Sequence, residues 1–304
     1  MDYTETCPRT FMGVENAPYD EAQIVVLPVP YEGAVCFTAG TAKAPAAIIR
    51  ASGILDFWDE ELLWEPGLQL KFHTLADLDP EPGEVVESFH RRIEEKAAGL
   101  RGRDVFFLTI GGDHSITAPV IRGLTSRPDK VTVVQIDAHQ DLLDEFMGSP
   151  LSHACVMRRL WDEGARIIQI GIRTLDRSEY ELSRDSDRIE TYYMHQLQRE
   201  SENARLAERL RGLTGDVYLT MDVDGLDGAI IPGTGTPQPG GLGWYQTLGF
   251  LRALLLESSA NVIGADVVET IPLDQVPITE VNAAKLAFKA ISYYFYRRLH
   301  GPRP

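Results

Sequence analysis

The sequence predicts an α/β fold built on a parallel sheet. Eight short runs rich in Val, Ile and aromatic residues recur along the 304 residues, and segments of helical period separate them. The runs are continuous rather than alternating, so each strand would be covered on both faces. Several runs also end in acidic and imidazole residues, which is where ligands gather in parallel sheets.

In chain order, the first run is Ile24–Val29, followed by a helical pattern over 45–51. A second run at 70–75 leads into a helix over 84–98, whose charged face carries Arg91, Arg92, Glu94, Glu95 and Lys96. The run at 105–110 precedes Gly111, Gly112, Asp113 and His114, and a helix over 116–124. The run at 131–136 passes directly into Asp137, Ala138, His139, Gln140 and Asp141, with a helix expected over 153–164. Runs at 167–172 and 189–194 precede a helix over 196–213. The seventh run, 217–223, contains Asp222 and continues to Asp224 and Asp227 before a helix over 244–257. The last, 262–268, ends at Glu269, and a final helix over 279–298 has Thr279 as its expected N-cap. Strand–helix alternation implies right-handed crossovers. Eight strands suit an open sheet or a (β/α)₈ barrel, and periodicity does not separate them.

No linker, charge block or internal repeat divides the chain, so residues 1–304 are expected to form a single domain. Residues 1–10 lack a basic stretch followed by an apolar one, and no run of about 18 apolar residues occurs; a cytoplasmic protein is expected. Cys7, Cys36 and Cys155 are odd in number and widely spaced, which argues against a disulfide framework. The net charge of −16 argues against nucleic acid or anionic membrane as a partner and favours a small cationic substrate.

Carboxylates and imidazoles delivered to one sheet rim repel one another unless cations neutralise them. Side chains two apart on a strand share a face, so Asp222 and Asp224 should project together, as should Asp137, His139 and Asp141 if extended. An oxygen-rich shell with a few imidazoles suits Mn²⁺ better than the sulfur-rich sites of structural zinc. Gly111 and Gly112 are not followed by a phosphate-binding pattern, so their expected role is a tight turn that swings His114 inward.

Across nearly the whole chain these motifs resemble the ureohydrolase (arginase/agmatinase) family. The similarity begins at Pro28-Val29-Pro30-Tyr31-Glu32-Gly33 and runs through Gly40 to Pro45 and Ile48-Ile49-Arg50. It then takes in the three acidic motifs, Gly233-Thr234-Gly235-Thr236-Pro237, and Asp266-Val267-Val268-Glu269. The resemblance implies a three-layer α/β/α fold around a mainly parallel eight-stranded sheet, which favours the open sheet over the barrel. It also implies two Mn²⁺ per subunit, one held by His114, Asp137, Asp141 and Asp222, the other by Asp137, His139, Asp222 and Asp224. The four aspartates then balance the two cations in charge. Such a pair, ~3.5–4 Å apart, lowers the pKa of a bridging water. Asp113 and Asp227 would orient ligands. His153 would be the proton shuttle, Glu269 would grip the guanidinium, and Thr236 would support Glu269 or the substrate. Cys155 lies two residues from His153, but residues so spaced on a helix do not face each other, which argues against a thiol nucleophile.

Arginases follow the Asp-x-His-x-Asp motif with Ile-Asn, whose Asn reads the α-carboxylate; here Leu142 and Leu143 follow Asp141. Pro150 to Cys155, Gly171-Ile172-Arg173 and the stretch from Leu55 to Leu62 resemble agmatinases. The expected reaction is hydrolysis of agmatine to putrescine and urea by a metal-bridging hydroxide, with Asp141 accepting its hydrogen bond. Guanidinobutyrase, arginase and formiminoglutamase activities, and a non-catalytic metal-stabilised binding protein, are the alternatives. Family members are usually trimers or hexamers, so a homo-oligomer is expected. Gln140 and Gly228 depart from the family pattern without removing a ligand.

Overall fold

The computed structural model describes residues 10–301. Its eight strands are Ile24–Val29 (β1), Phe72–Thr74 (β2), Phe106–Gly111 (β3), Thr132–Ile136 (β4), Arg166–Ile172 (β5), Ile189–Tyr193 (β6), Asp216–Asp222 (β7) and Asn261–Val268 (β8). All pairings are parallel, in the order β2-β1-β3-β8-β7-β4-β5-β6. The terminal strands β2 and β6 do not pair with each other, so the sheet is open and the barrel is excluded.

The continuity of the apolar runs has a direct cause. In β1, Ile24 and Val26 enter one hydrophobic core, while Val25, Leu27 and Val29 enter the other. Helices Ala44–Ser52 (α1), Glu200–Arg211 (α7), Trp244–Leu255 (α8) and Ile278–His300 (α9) contribute to the first core. Helices Val86–Ala98 (α3), Thr117–Leu124 (α4) and Val156–Asp162 (α5) contribute to the second. The result is the expected α/β/α sandwich. Each fully buried Ile, Leu or Val contributes about 1.5–3 kcal/mol, so the sheet is anchored from both sides.

Two short helices lack a counterpart in the sequence reading: Pro66–Gln69 (α2) and Arg177–Asp185 (α6). α6 buries only Glu179 and Ser183, so apolar periodicity gives no cue, although Asp176 and Glu179 form a capping box that marks its start. The expected N-cap Thr279 lies inside the first turn of α9, whose N-cap is Pro277. Its hydroxyl instead accepts the Gly233 N–H at 2.8 Å, tying the helix to the 233–236 loop. The helix expected over 153–164 is a 3₁₀ turn at His153–Cys155 followed by α5. Cys7 and most of the N-terminal stretch read above lie outside the described residues. Among the described residues, no helix is long and apolar enough to cross a membrane.

Strand order decides where chemistry can occur. β3, β8, β7 and β4 are consecutive in the sheet, and they are the four strands whose carboxyl ends carry the acidic and imidazole motifs.

Candidate metal centre

Each motif reaches the rim by its own local device. After β3, the Asp113 carboxylate caps the turn that begins at His114, accepting the Ser115 N–H at 3.0 Å and its hydroxyl at 2.5 Å. Its other oxygen accepts Gly33 N–H at 2.6 Å. Asp113 therefore fixes the backbone that presents His114. Neither Gly111 nor Gly112 has a positive φ, so left-handed turn geometry is not the reason for the pair. A Cβ on Gly112 would lie 1.8 Å from the Tyr31 carbonyl oxygen, and this close backbone approach requires glycine.

Beyond β4, the 137–141 segment is not extended, contrary to the same-face expectation for its three polar residues. Asp141 has φ +54, and its carbonyl accepts the N–H groups of Met157 and Arg158 at the start of α5. Asp224 likewise lies beyond β7, in the turn Val223–Gly225, and donates its N–H to the Asp222 carboxylate at 2.9 Å. Strand alternation does not bring these residues together. The loops do.

His114 Nδ1 lies 3.2 Å from Asp137, 3.0 Å from Asp141 and 3.4 Å from Asp222. His139 Nδ1 lies 3.0 Å from Asp224 and 3.5 Å from Asp137. Two groups with the spacing of a cation shell result: His114, Asp137 and Asp141, and Asp137, His139 and Asp224. Asp137 belongs to both, and Asp222 adjoins the first. The donor chemistry fits divalent cations. His114 Nδ1 is buried without a hydrogen-bond partner while its Nε2 is engaged by the Thr220 hydroxyl at 2.7 Å, leaving Nδ1 free to face a metal.

The electrostatics agree with that fit. Burial, then Asp224 and Asp137, push the Asp222 carboxyl well above its ordinary range. Burial and then Asp137 push Asp141 up to about 7. Burial opposes protonation of His139, but Asp224 and Asp137 outweigh it and push the imidazole up to about 12. Without cations the site can hold its carboxylates together only by taking up protons.

A cavity of ≈ 310 Å³ opens above these residues, lined also by Cys36, Leu143, Phe146, His153, Asp176, Glu179, Thr236 and Glu269. Glu269 has φ +63 at the end of β8 and accepts the His114 N–H at 2.8 Å. Burial, then Asp113, raise its carboxyl well above the ordinary value, as expected of a carboxylate that lacks its counter-charge. Of the two leucines, Leu142 turns into the core and Leu143 faces the cavity. Asp227 does not orient a ligand; it accepts the N–H groups of Ala229 and Gly241 at 3.0 and 3.1 Å and closes the 227–241 loop. Gly228 sits in that pinned loop with open space around it.

Three features escaped the sequence reading. The Cys36 Sγ lies 2.9 Å from His153 Nε2, whereas Cys155 is buried and approaches the Ser149 carbonyl. Arg173 donates to the carbonyls of Asp224 and Gln238 at 2.6 and 2.9 Å, clamping the loop that carries Asp224. Third, a polar rank crosses the sheet beneath the rim. Thr109, Asp266, Thr220, Gln135, Gln169 and Thr191 are successive register partners on β3, β8, β7, β4, β5 and β6. The available signal was a polar residue interrupting each of these largely apolar runs.

A model of the family described as the arginase family matches residues 22–292. The chain belongs to that family. It is 36% identical over 296 residues to an N(1)-aminopropylagmatine ureohydrolase from Synechocystis sp., covering 94% of each chain. An agmatinase from Bacillus cereus is 30% identical over 271 residues, covering 86% of this chain and 89% of that one. Among solved structures, an agmatine ureohydrolase of Thermoplasma volcanium superposes with a TM-score of 0.81 at 28% identity, over 93% of this chain and 94% of that one.

Proposed function

We propose that this arginase-family chain is a dinuclear manganese ureohydrolase that hydrolyses the guanidinium of agmatine, giving putrescine and urea. One observation carries the choice of substrate. The cavity lining includes six carboxylates, from Asp141, Asp176, Glu179, Asp222, Asp224 and Glu269, and no Lys or Arg. Two divalent cations would offset four charges at most. A substrate that is cationic at both ends suits the remaining field, whereas guanidinobutyrate or formiminoglutamate would bring a carboxylate into it. Leu143 supplies apolar wall for the alkyl chain.

His114, Asp137, His139, Asp141, Asp222 and Asp224 would hold the metals. When bound, the pair of cations supplies the Lewis acidity that makes water nucleophilic near neutral pH. Glu269 holds the guanidinium through a charge-assisted contact and keeps its carbon over the metal-facing carboxylates. Asp141 accepts a hydrogen bond from the attacking water and so aligns its lone pair. Burial keeps the His153 imidazole below its ordinary pKa, so it is neutral at pH 7 and free to take a proton and pass it to the departing amine. Thr236 lines the cavity beside Glu269 and suits contact with the substrate nitrogens.

A longer polyamine, N(1)-aminopropylagmatine, is the second reading. The 36%-identical relatives are named for it, and exposed Asp176 stands in the cavity wall where a further ammonium group would find a partner. Urea release from agmatine, N(1)-aminopropylagmatine, arginine and guanidinobutyrate under Mn²⁺ tests both readings. Preference for either carboxylate-bearing substrate would overturn the argument from cavity charge, and full turnover by rigorously metal-depleted protein would overturn the mechanism.

A further inference from the structure

Gln140 departs from the family pattern in the middle of the second motif, and its surroundings give it a use. Gln135, Gln140 and Gln169 are all fully buried. Burying three primary amides is costly unless each finds partners, and here they find one another. Gln140 Nε2 donates to Gln169 Oε1 at 3.0 Å, with the Ser183 and Thr191 hydroxyls at 3.1 and 3.2 Å sharing its second hydrogen. Gln169 Nε2 donates to Gln135 Oε1 at 2.8 Å and to the Gln140 carbonyl at 2.8 Å. Gln135 Nε2 donates to the Asp137 carboxylate at 2.7 Å and to the His139 carbonyl at 3.2 Å.

These bonds run in one direction. An ionised carboxylate only accepts, so Asp137 dictates that Gln135 presents its NH₂ group; the Gln135 carbonyl then faces Gln169, and the same logic passes on to Gln140. Gln169 and Gln135 each accept on one side and donate on the other, and Gln140, whose own Oε1 is buried without a partner, starts the chain, which polarises towards Asp137. Asp137 is also the only residue common to the two cation-sized groups. A lysine or arginine there would neutralise the carboxylate and compete with the cations. A neutral donor fixes its orientation and leaves its charge for the metals.

We propose that Gln135, held in place by Gln169 and Gln140, is the positioning residue of Asp137, and that this amide relay sets the geometry through which the two metal positions share that carboxylate. The inference rests on the dinuclear reading above. Gln135→Met preserves side-chain length and removes the donor; Gln140→Met breaks the relay at its far end.

Full-length protein, stripped of metal, is titrated with Mn²⁺ by calorimetry, and the loaded forms are compared by electron paramagnetic resonance. Thermal unfolding of the metal-free forms establishes that each variant is folded. Wild-type protein should take up two Mn²⁺ with a spin-coupled spectrum. Gln135→Met should bind at least one of them ~10- to 100-fold more weakly and show an altered coupling, in line with the usual loss when a partner of a metal ligand is removed. Gln140→Met should shift both readouts in the same direction by a smaller factor. If either folded variant matches wild-type protein in stoichiometry, affinity and spectrum, the relay has no positioning role. If wild-type protein itself fails to bind a coupled pair, the dinuclear reading falls and the relay proposal with it.

Discussion

Glu269→Gln is the sharpest test of how the guanidinium is held. The His114 N–H donates to Glu269 Oε1 at 2.8 Å, and in the variant this bond keeps the amide oxygen on that side. The new NH₂ group must then take the place of Oε2 and face the guanidinium. Two donors would oppose each other where a charge-assisted pair stood, and the counter-charge would be gone. A hydrogen bond to a charged group contributes about 1.5–3 kcal/mol net, and truncating one partner of a desolvated charge pair costs about 2–5 kcal/mol. Glu269 is only partly buried, so solvent screening favours the lower part of that range, about 2–4 kcal/mol. In kcat/KM this is a loss of roughly 30- to 1,000-fold. The assay is steady-state urea release from agmatine, with Mn²⁺ content measured on the same samples. Because Glu269 lies outside both cation-sized groups, metal content should stay at the wild-type level. A fall in kcat/KM of less than threefold, or a loss proportional to lost metal, would refute the assignment of Glu269 to the guanidinium.

Mn²⁺ affinity should rise with pH. Burial and Asp137 push metal-free Asp141 up to about 7, and burial of His139 is outweighed by Asp224 and Asp137, which push it up to about 12, so between pH 6 and 8 the apo site carries protons that the cations must displace. Each proton released steepens the dependence by about tenfold per pH unit; titrations at pH 6, 7 and 8 should show at least one, and a flat profile would contradict the site. A structural prediction concerns Lys289, fully buried in α9, whose Nζ donates to both Asp59 oxygens at 3.0 and 2.9 Å and to Glu61 at 2.9 Å. Lys289→Met leaves the buried Asp59 carboxylate without its cation and should cost about 3–5 kcal/mol in guanidinium-chloride unfolding, most of it recovered by adding Asp59→Asn.

The rim residues were legible because ionisable side chains at the ends of apolar runs have few other uses. His114, Asp137, Asp222 and Glu269 needed only the strand ends and the rule that parallel sheets bind ligands at their carboxyl edge. Alternation was the wrong rule for Asp141 and Asp224, which lie past the last strand residue, the first held by bonds to its carbonyl from α5 and the second by its N–H bond to the Asp222 carboxylate. Cys36 and His153 are 117 residues apart, and no local pattern pairs them. Gln135, Gln169 and Thr191 were visible as polar interruptions in apolar strands. Only the register of β4, β5 and β6 shows that they are neighbours. α6 was missed because its inward residues are polar, while the Asp-x-x-Glu signal at its start stood in the sequence.

The two non-glycine residues at the rim with left-handed backbones, Asp141 and Glu269, bear on why the site is built as it is. Each such conformation costs of order 1–3 kcal/mol and persists only where surrounding bonds over-determine it. For Asp141 the over-determination comes from the first turn of α5, where the Met157 and Arg158 N–H groups bind its carbonyl. For Glu269 it comes from the Gly-Gly-Asp-His segment: its N–H donates to the Gly112 carbonyl at 2.8 Å and its carboxylate accepts from His114. A strand residue with ordinary φ would continue outward along β8. The left-handed turn instead lays the carboxylate back along the rim, against the segment that supplies His114. Under the proposed roles, one short stretch of backbone then fixes both the group that holds the substrate and a ligand of the metal pair. The distance between guanidinium and metals becomes a property of that hydrogen-bonded unit rather than of two independent loops, and this gives the strain a function worth its cost.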